Sequence, residues 1–280
     1  MRRDRKVERG KRGKGWLGLA LVSLVAVVMV APFLYMVSTS LMDECEVFQW
    51  PPRLWPASPH LENYAVALTA LPFGRFLLNS AIVAGSVVVG QVLTSAMAAY
   101  AFARLRFPGR DRVFLAFLTV LMVPAIVLLI PRFLMIDALG WVDRYAGLIS
   151  TELVSVWGIF LLRQFFVTLP RDLEDAARLD GAGEWTIFWR VVLPLSRPAL
   201  ATLAVFSFAD QWRSFLWPLL VTRSVEMRVV ELGLANFHEV YAANWPYQMA
   251  AAVAATVPLL FVFLVAQRYF VRGIQLQALK

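Results

Sequence analysis

The sequence predicts an all-α, polytopic membrane protein with six transmembrane helices, and three observations carry that prediction. Apolar residues make up 60% of the 280 and charged residues only 16%, with a mean hydropathy of +0.65. The apolar residues are gathered into bilayer-length runs. A helix needs about 20 mostly apolar residues to cross the hydrocarbon core, and residues 15–42, 76–103, 113–131 and 245–267 carry no formal charge. The third observation is that Lys and Arg cluster in alternate connecting segments, which is the asymmetry that orients a membrane chain.

Taken in order, residues 1–14 form a basic tail with eight Lys and Arg. The run at 15–42 is longer than the roughly 7–15 apolar residues of a cleaved signal, so it reads as an uncleaved first helix. Residues 43–75 follow as an outer segment in which Trp50-Pro51-Pro52, Trp55-Pro56 and Pro59 break regular helix. Its tryptophans suit a membrane interface, and 62–70 suits a short interfacial helix. After the span at 76–103 comes a tight inner turn at 104–112, centred on Pro108-Gly109. The span at 113–131 leads to an outer loop at 132–144.

Two further spans carry charge. Residues 145–162 are apolar except for Glu152, and 198–222 except for Asp210 and Arg213. A charge near the bilayer centre costs about 2.5–3.5 kcal/mol on insertion scales, so both spans should face protein or a wet cavity. An outer loop at 223–244 precedes the last span. With the N-terminus on the cytoplasmic side, six spans return the C-terminus there, and 20 of the 27 Lys and Arg fall inside. The net charge of +8 is thereby explained by topology, not by nucleic acid. Helices satisfy their own backbone within the hydrocarbon, so no sheet is needed.

The longest charge-dense interruption is 169–194, LPRDLEDAARLDGAGEWTIFWRVVLP. Pro170 suits a first helical turn, and Asp172, Glu174 and Asp175 complement the positive end of a helix dipole. Leu173, Ala176, Ala177 and Asp180 share a face at i, i+3, i+4, i+7 spacing. Gly181 then supplies the left-handed residue that ends helices, giving a helix of about ten residues. Its small side chains permit close approach of another protein's backbone. A helix lying on lipid would instead pair Lys and Arg with bulky apolar residues. A second amphipathic segment, 185–192, is broken by Pro194 and Pro198 before the fifth span.

This segment resembles the cytoplasmic EAA loop of the integral-membrane subunits of ATP-binding-cassette importers. The family pattern is Glu-Ala-Ala, three residues, Gly, nine residues, Ile, one residue, Leu-Pro. Here it reads Asp175-Ala176-Ala177, Arg178-Leu179-Asp180, Gly181, nine residues, Val191, Val192, Leu193-Pro194. Phe76-Leu77-Leu78-Asn79-Ser80, Arg104-Leu105-Arg106-Phe107-Pro108-Gly109, Phe215-Leu216-Trp217-Pro218 and Arg268-Tyr269-Phe270-Val271-Arg272-Gly273 are similar to the carbohydrate branch of that family, which includes maltose-type and glycerol-3-phosphate systems. One departure is Trp212-Arg213-Ser214, where the family often has Trp-Asn-Glu.

The resemblance implies a type I ABC importer permease (MetI-like) fold, with a permease core at 76–272 and a short cytoplasmic tail at 273–280. It implies a bacterial plasma membrane location with both termini cytoplasmic. The implied partners are a second permease, two ATPase subunits and an extracytoplasmic solute-binding protein, with a sugar or sugar-like solute as cargo. Glu174, Asp175, Ala176, Ala177, Arg178, Asp180, Gly181, Leu193 and Pro194 would couple to the ATPase. The chain has no G-x-x-x-x-G-K-[ST] phosphate loop, so ATP would be used by the partners, with no cofactor bound here.

Glu152, Asp210, Trp212 and Arg213 are the candidate pathway residues, Trp212 as a stacking platform for a sugar ring. The alternative for the charges is a structural ion pair between helices. Gln91, Asn79 and Ser95 are weaker candidates. A secondary, ion-coupled transporter is the competing function, but it would call for coupling residues and inverted repeats. Cys45 is the only cysteine, and His60 and His238 are isolated, so neither a disulfide framework nor a metal site is expected.

Overall fold

The computed structural model describes residues 4–240 and 244–277. Among them it contains helices and no strand. In chain order the helices are α1 (Asp4–Ser40), α2 (Glu44–Val47), α3 (Glu62–Thr69), α4 (Phe73–Arg104), α5 (Arg110–Thr119), α6 (Leu129–Ala138), α7 (Tyr145–Ile149), α8 (Val156–Thr168), α9 (Asp172–Leu179), α10 (Glu184–Ile187), α11 (Leu193–Leu195), α12 (Arg197–Trp212), α13 (Leu216–Val221), α14 (Val230–Val240) and α15 (Trp245–Gln277). The expected tails at 1–14 and 273–280 are not separate elements where they are described: residues 4–14 continue α1 and 273–277 continue α15, while 1–3 and 278–280 lie outside the described residues.

Among the described residues, three helices are long and apolar enough to cross a membrane: Gly18–Ser40 within α1, Phe73–Arg104, and Trp245–Arg268 within α15. Three bent pairs complete the count of six if each is one span. On that count the number would match the expected six, with three of the expected straight spans broken. Arg110–Met122 and Ala125–Ala138 meet at 94°. The cause is Pro124, which lacks an N–H and pushes Val123 into extended backbone (φ −81°, ψ 120°). Residues 132–138 are consequently helical, not part of an outer loop. Tyr145–Glu152 and Val156–Thr168 meet at 42°. The expected span at 198–222 stops at Trp212 and resumes as α13. The expected outer loop at 223–244 contains α14.

The chain forms two compact units, residues 1–70 with 237–254 and residues 71–236 with 255–280. In the first, Asn63 of α3 is buried and donates to the carbonyls of Ser40 and Met42 at 3.0 and 2.9 Å, tying α3 to the end of α1. In the second, α4 is the central element and packs along α8 and α12. It buries Phe76, Ser80, Val83, Val87, Gln91, Ser95, Ala99 and Phe102, a stripe at helical spacing. Small residues on that stripe let the helices approach closely, as membrane helices do where hydrophobic driving force is absent.

Gly158 of α8 marks a close contact among α4, α8 and α12. A Cβ there would sit 2.7 Å from Ser95 Oγ and 2.9 Å from Leu203 Cδ1. Gly158→Val is therefore expected to force α4, α8 and α12 apart, costing about 1–3 kcal/mol. The check is the unfolding midpoint of the purified chain in detergent, and an unchanged midpoint would show that the three helices do not meet there.

At the Arg104 end of α4, Ala99, Tyr100 and Ala103 pack with Leu162 and Phe166 of α8 and with Ile187, Phe188 and Val192. At the opposite end Val83 and Val87 pack with Ile136, Leu148, Trp217 and Val221. The whole Arg104-end cluster is what positions the 169–194 loop.

Candidate coupling site and transport pathway

The loop at 169–194 folds as α9, a left-handed turn, and a second short helix. Asp172, Glu174 and Asp175 occupy the first turn of α9, as the dipole argument requires. The helix starts at Asp172, two residues later than Pro170 at N1 would place it; Pro170 precedes the cap residue, Arg171. Gly181 takes φ +84°. With it, Ala182 N–H donates to Ala177 at 2.9 Å and Gly181 N–H to Arg178 at 3.0 Å, the paired bonds of a Schellman stop. Downstream, residues 188–192 form a single π turn. Pro194 has no N–H to offer the carbonyl four residues back, so the ladder there shifts register. The chain then bends by 77° at Ser196 into α12.

Ion pairs bolt α9 to the helices behind it. Glu174 is buried, 3% exposed, and its Oε1 lies 2.8 Å from Nε of Arg104, whose side chain is also 3% exposed. The pair meets by charge without an aligned N–H bond. Arg104 Nη2 donates to the Leu169 carbonyl at 2.8 Å. Arg178 donates to Asp175 at 2.9 Å and, through Nε and Nη2, to Glu184 Oε1 at 3.1 and 3.0 Å. Tyr100 of α4 donates to the other Glu184 oxygen at 2.6 Å. Burial pushes the Glu174 carboxyl above its ordinary range, against the opposing pull of Arg104 and Arg178.

This network sorts the expected coupling residues by direction. Glu174 faces inward and anchors. Ala177 is half-buried against the Phe188 cluster, so only part of the expected Ala176-Ala177 face is open. The open ridge is Leu173 (45% exposed), Ala176 and Leu179 (90% exposed), with Asp175 and Asp180 beside it. Leu193 is half-buried on the same cluster and Pro194 is exposed at its edge. Arg104 was the partner that sequence reasoning missed. Its signal was a lone guanidinium closing the Ala96, Ala99, Ala103 stripe.

The candidate pathway residues do not form one cluster. Glu152 pairs with Arg132 in a very short contact, and Gln211 donates to its other oxygen at 3.4 Å. Arg132 also donates to Thr151 at 2.6 Å and lies 4.2 Å over the Trp217 ring. Sequence reasoning placed Arg132 in a loop and left Glu152 without a named partner. Asp210 and Arg213 are exposed and share no ion pair. Trp212 is 4% exposed, stacks on Phe208 at 5.3 Å and donates to the Ala255 carbonyl at 2.9 Å. It is a packing residue, not an open sugar platform, because its indole serves the α12–α15 contact.

Gln91 donates to the Glu152 carbonyl at 2.7 Å and accepts from Ser207 at 2.7 Å. Asn79 holds the Glu226 and Arg228 carbonyls at 2.7 and 2.8 Å, and Ser95 donates to Ser155 at 3.3 Å. All three are committed to helix packing. The described residues contain no cluster of three or more His, Cys, Asp or Glu fit for a metal.

Arg132→Gln is expected to strand the Glu152 carboxylate and cost about 1.5–3 kcal/mol. Arg132→Gln with Glu152→Gln should recover most of that loss, since neither charge remains. Unfolding midpoints of the three variants check it, and a double variant no better than the single would rule out the pairing.

A helical chain with broken spans and one polar, externally presented helix on a braced loop defines the class: the membrane-embedded component of a transport assembly. The family follows. Residues 90–276 match the model of the binding-protein-dependent transport system inner membrane component, and the chain belongs to that family. It is a transport permease, not an enzyme.

Among its relatives is the sn-glycerol-3-phosphate transport system permease protein UgpE of Yersinia pestis, 37% identical over 264 residues, covering 91% of this chain and 94% of the relative. The UgpE of Brucella abortus is 35% identical over 264 residues with the same coverage. A bacterial ABC transporter involved in the import of the acidic polysaccharide alginate contains a similar chain, with a TM-score of 0.81 and 25% identity over 94% of this chain and 98% of that one.

Proposed function

We propose that this chain forms, with a second permease, the pathway of an ATP-binding-cassette importer for a sugar or glycerol-phosphate-like solute. A binding protein outside the cell delivers the solute, and separate ATPase subunits dock on α9. The loop at 169–194 and both termini face the cytoplasm in this reading, which the Lys and Arg distribution supports.

The observation that carries it is the two-sided build of α9. Its inner side is fastened by Glu174 and Arg178, and its outer side presents Leu173, Ala176 and Leu179 to a partner. A helix so braced transmits a push without unfolding. Asp210 and Arg213, exposed and in no ion pair among the described residues, are the charges placed to face the pathway in this reading, while the Glu152–Arg132 pair holds α6 to the segment joining α7 and α8.

The test is reconstitution in vesicles with the ATPase, the second permease and the binding protein, against a panel of sn-glycerol 3-phosphate, neutral saccharides and acidic oligosaccharides. Uptake that needs all four proteins and ATP is expected. Uptake by this chain alone, driven by an ion gradient, would favour the secondary-transporter reading instead.

A further inference from the structure

The turn between α4 and α5 carries a feature that coupling and solute passage leave unused. Residues 106–112 and Arg171 surround a concavity of about 960 Å³. Four arginines line it, Arg106, Arg110, Arg112 and Arg171, against a single acid, Asp111. Asp111 is already engaged: Arg110 donates to it at 3.1 and 3.5 Å, and Arg163 approaches it at 3.8 Å. Arg106, Arg112 and Arg171 have no ion-pair partner among the described residues.

Gly109 shapes the hollow by taking φ +78°, which turns the chain sharply between the two helices. The first turns of α5 leave the rim with much of their apolar surface uncovered: Val113 and Phe117 on one side and Leu115 on the other are 43%, 37% and 61% exposed. Arg110–Met122 is one arm of a bent helix pair apolar enough to cross a membrane, with the arginines gathered at its polar end.

We infer that this concavity binds the headgroup of an anionic phospholipid, with the phosphate held by Arg106, Arg112 and Arg171 and the acyl chains lying along the exposed face of α5. Guanidinium forks match phosphate oxygens in geometry as well as charge. Basic pockets at the ends of membrane helices recognise anionic headgroups for the same reason. The apolar continuation along α5 selects a lipid over a soluble anion, because only a lipid satisfies both halves of the surface. Arg171 is the residue immediately before α9, so a lipid held here would brace the same loop that the Glu174–Arg104 pair braces from within.

Native mass spectrometry of the full chain, purified in detergent and titrated with phosphatidylglycerol or phosphatidylcholine, tests the inference. Preferential retention of phosphatidylglycerol is expected. The double variant Arg106→Gln/Arg112→Gln should weaken it about tenfold to thirtyfold, at roughly fivefold per arginine near a membrane surface. Arg106→Lys/Arg112→Lys should show a selectivity between the native and glutamine chains, since the charge remains and the guanidinium fork is lost. Arg190→Gln/Arg197→Gln, removing two charges elsewhere, should leave it intact.

Equal retention of the two lipids by the native chain would overturn the inference, as would unchanged selectivity in the Arg106/Arg112 glutamine variant. Displacement of the lipid by millimolar inorganic phosphate would show a soluble-anion site instead. Loss of ATPase attachment in the glutamine variant, with lipid selectivity unchanged, would assign the arginines to an acidic protein surface.

Discussion

Replacing Glu174 by alanine is expected to release α9 from the end of α4 and to destabilise the chain by about 3–5 kcal/mol, because the Arg104 guanidinium is left buried without its counter-charge. The carbonyl of Leu169, 2.8 Å from Nη2, stays in place but cannot neutralise it. Arg178 loses its Glu174 contact at 3.7 Å and keeps Asp175 and Glu184, so the defect should be local to the α4–α9 junction. Two measurements report it. The unfolding midpoint falls, and hydrogen exchange or limited proteolysis across 169–184 accelerates.

A second pair of variants separates the charge from the packing. Glu174→Gln keeps a polar partner for Arg104 and should lie between the native chain and Glu174→Ala. Arg104→Met with Glu174→Leu removes both charges and fills similar space, a replacement that is often neutral for buried pairs. Recovery of the midpoint in that double variant would identify the stranded charge as the cause of the single variant's loss. A Glu174→Ala chain with native stability and native exchange would refute the anchor.

The spans and the loop helix are legible in the sequence because both are local properties. An uncharged run of bilayer length and a 3.6-residue pattern closed by glycine need no knowledge of distant residues, and α1, α4, α15 and α9 duly stand where those patterns lie. The breaks were legible in kind and not in place. Pro124 sat inside an uncharged run, and hydropathy alone does not weigh the extended backbone it imposes on Val123. That omission turned 132–138 into a loop on paper and hid Arg132.

The pairings were not legible at all. Glu152 lies 20 residues from Arg132 and Glu174 lies 70 from Arg104, and nothing in the intervening sequence specifies which charge meets which. The inward or outward sense of each α9 residue depends on that same pairing. Once Arg104 draws Glu174 in, Ala177 turns toward Phe188 and Ala176 turns away.

That division between Ala176 and Ala177 yields the largest functional effect. Ala176→Asp is expected to leave the unfolding midpoint within about 0.5 kcal/mol of native, as an exposed surface change does. In the assembled importer it should abolish ATPase attachment, since a carboxylate would be buried unpaired at the centre of a close helix-in-cleft contact, where truncations alone cost 2 kcal/mol or more. Co-purification of the ATPase and uptake in reconstituted vesicles should both fall by at least about thirtyfold, the factor that 2 kcal/mol represents. Ala177→Asp should behave oppositely in its cause. Its carboxylate points toward the Phe188 cluster, so the midpoint falls first and coupling is lost only as a consequence. Leu179→Asp, at the most exposed position of the ridge, should resemble Ala176→Asp. If Ala177→Asp were stable but uncoupled while Ala176→Asp retained its ATPase, the docking face would be the inner one, and α9 would have to rotate on its Glu174 anchor to present it.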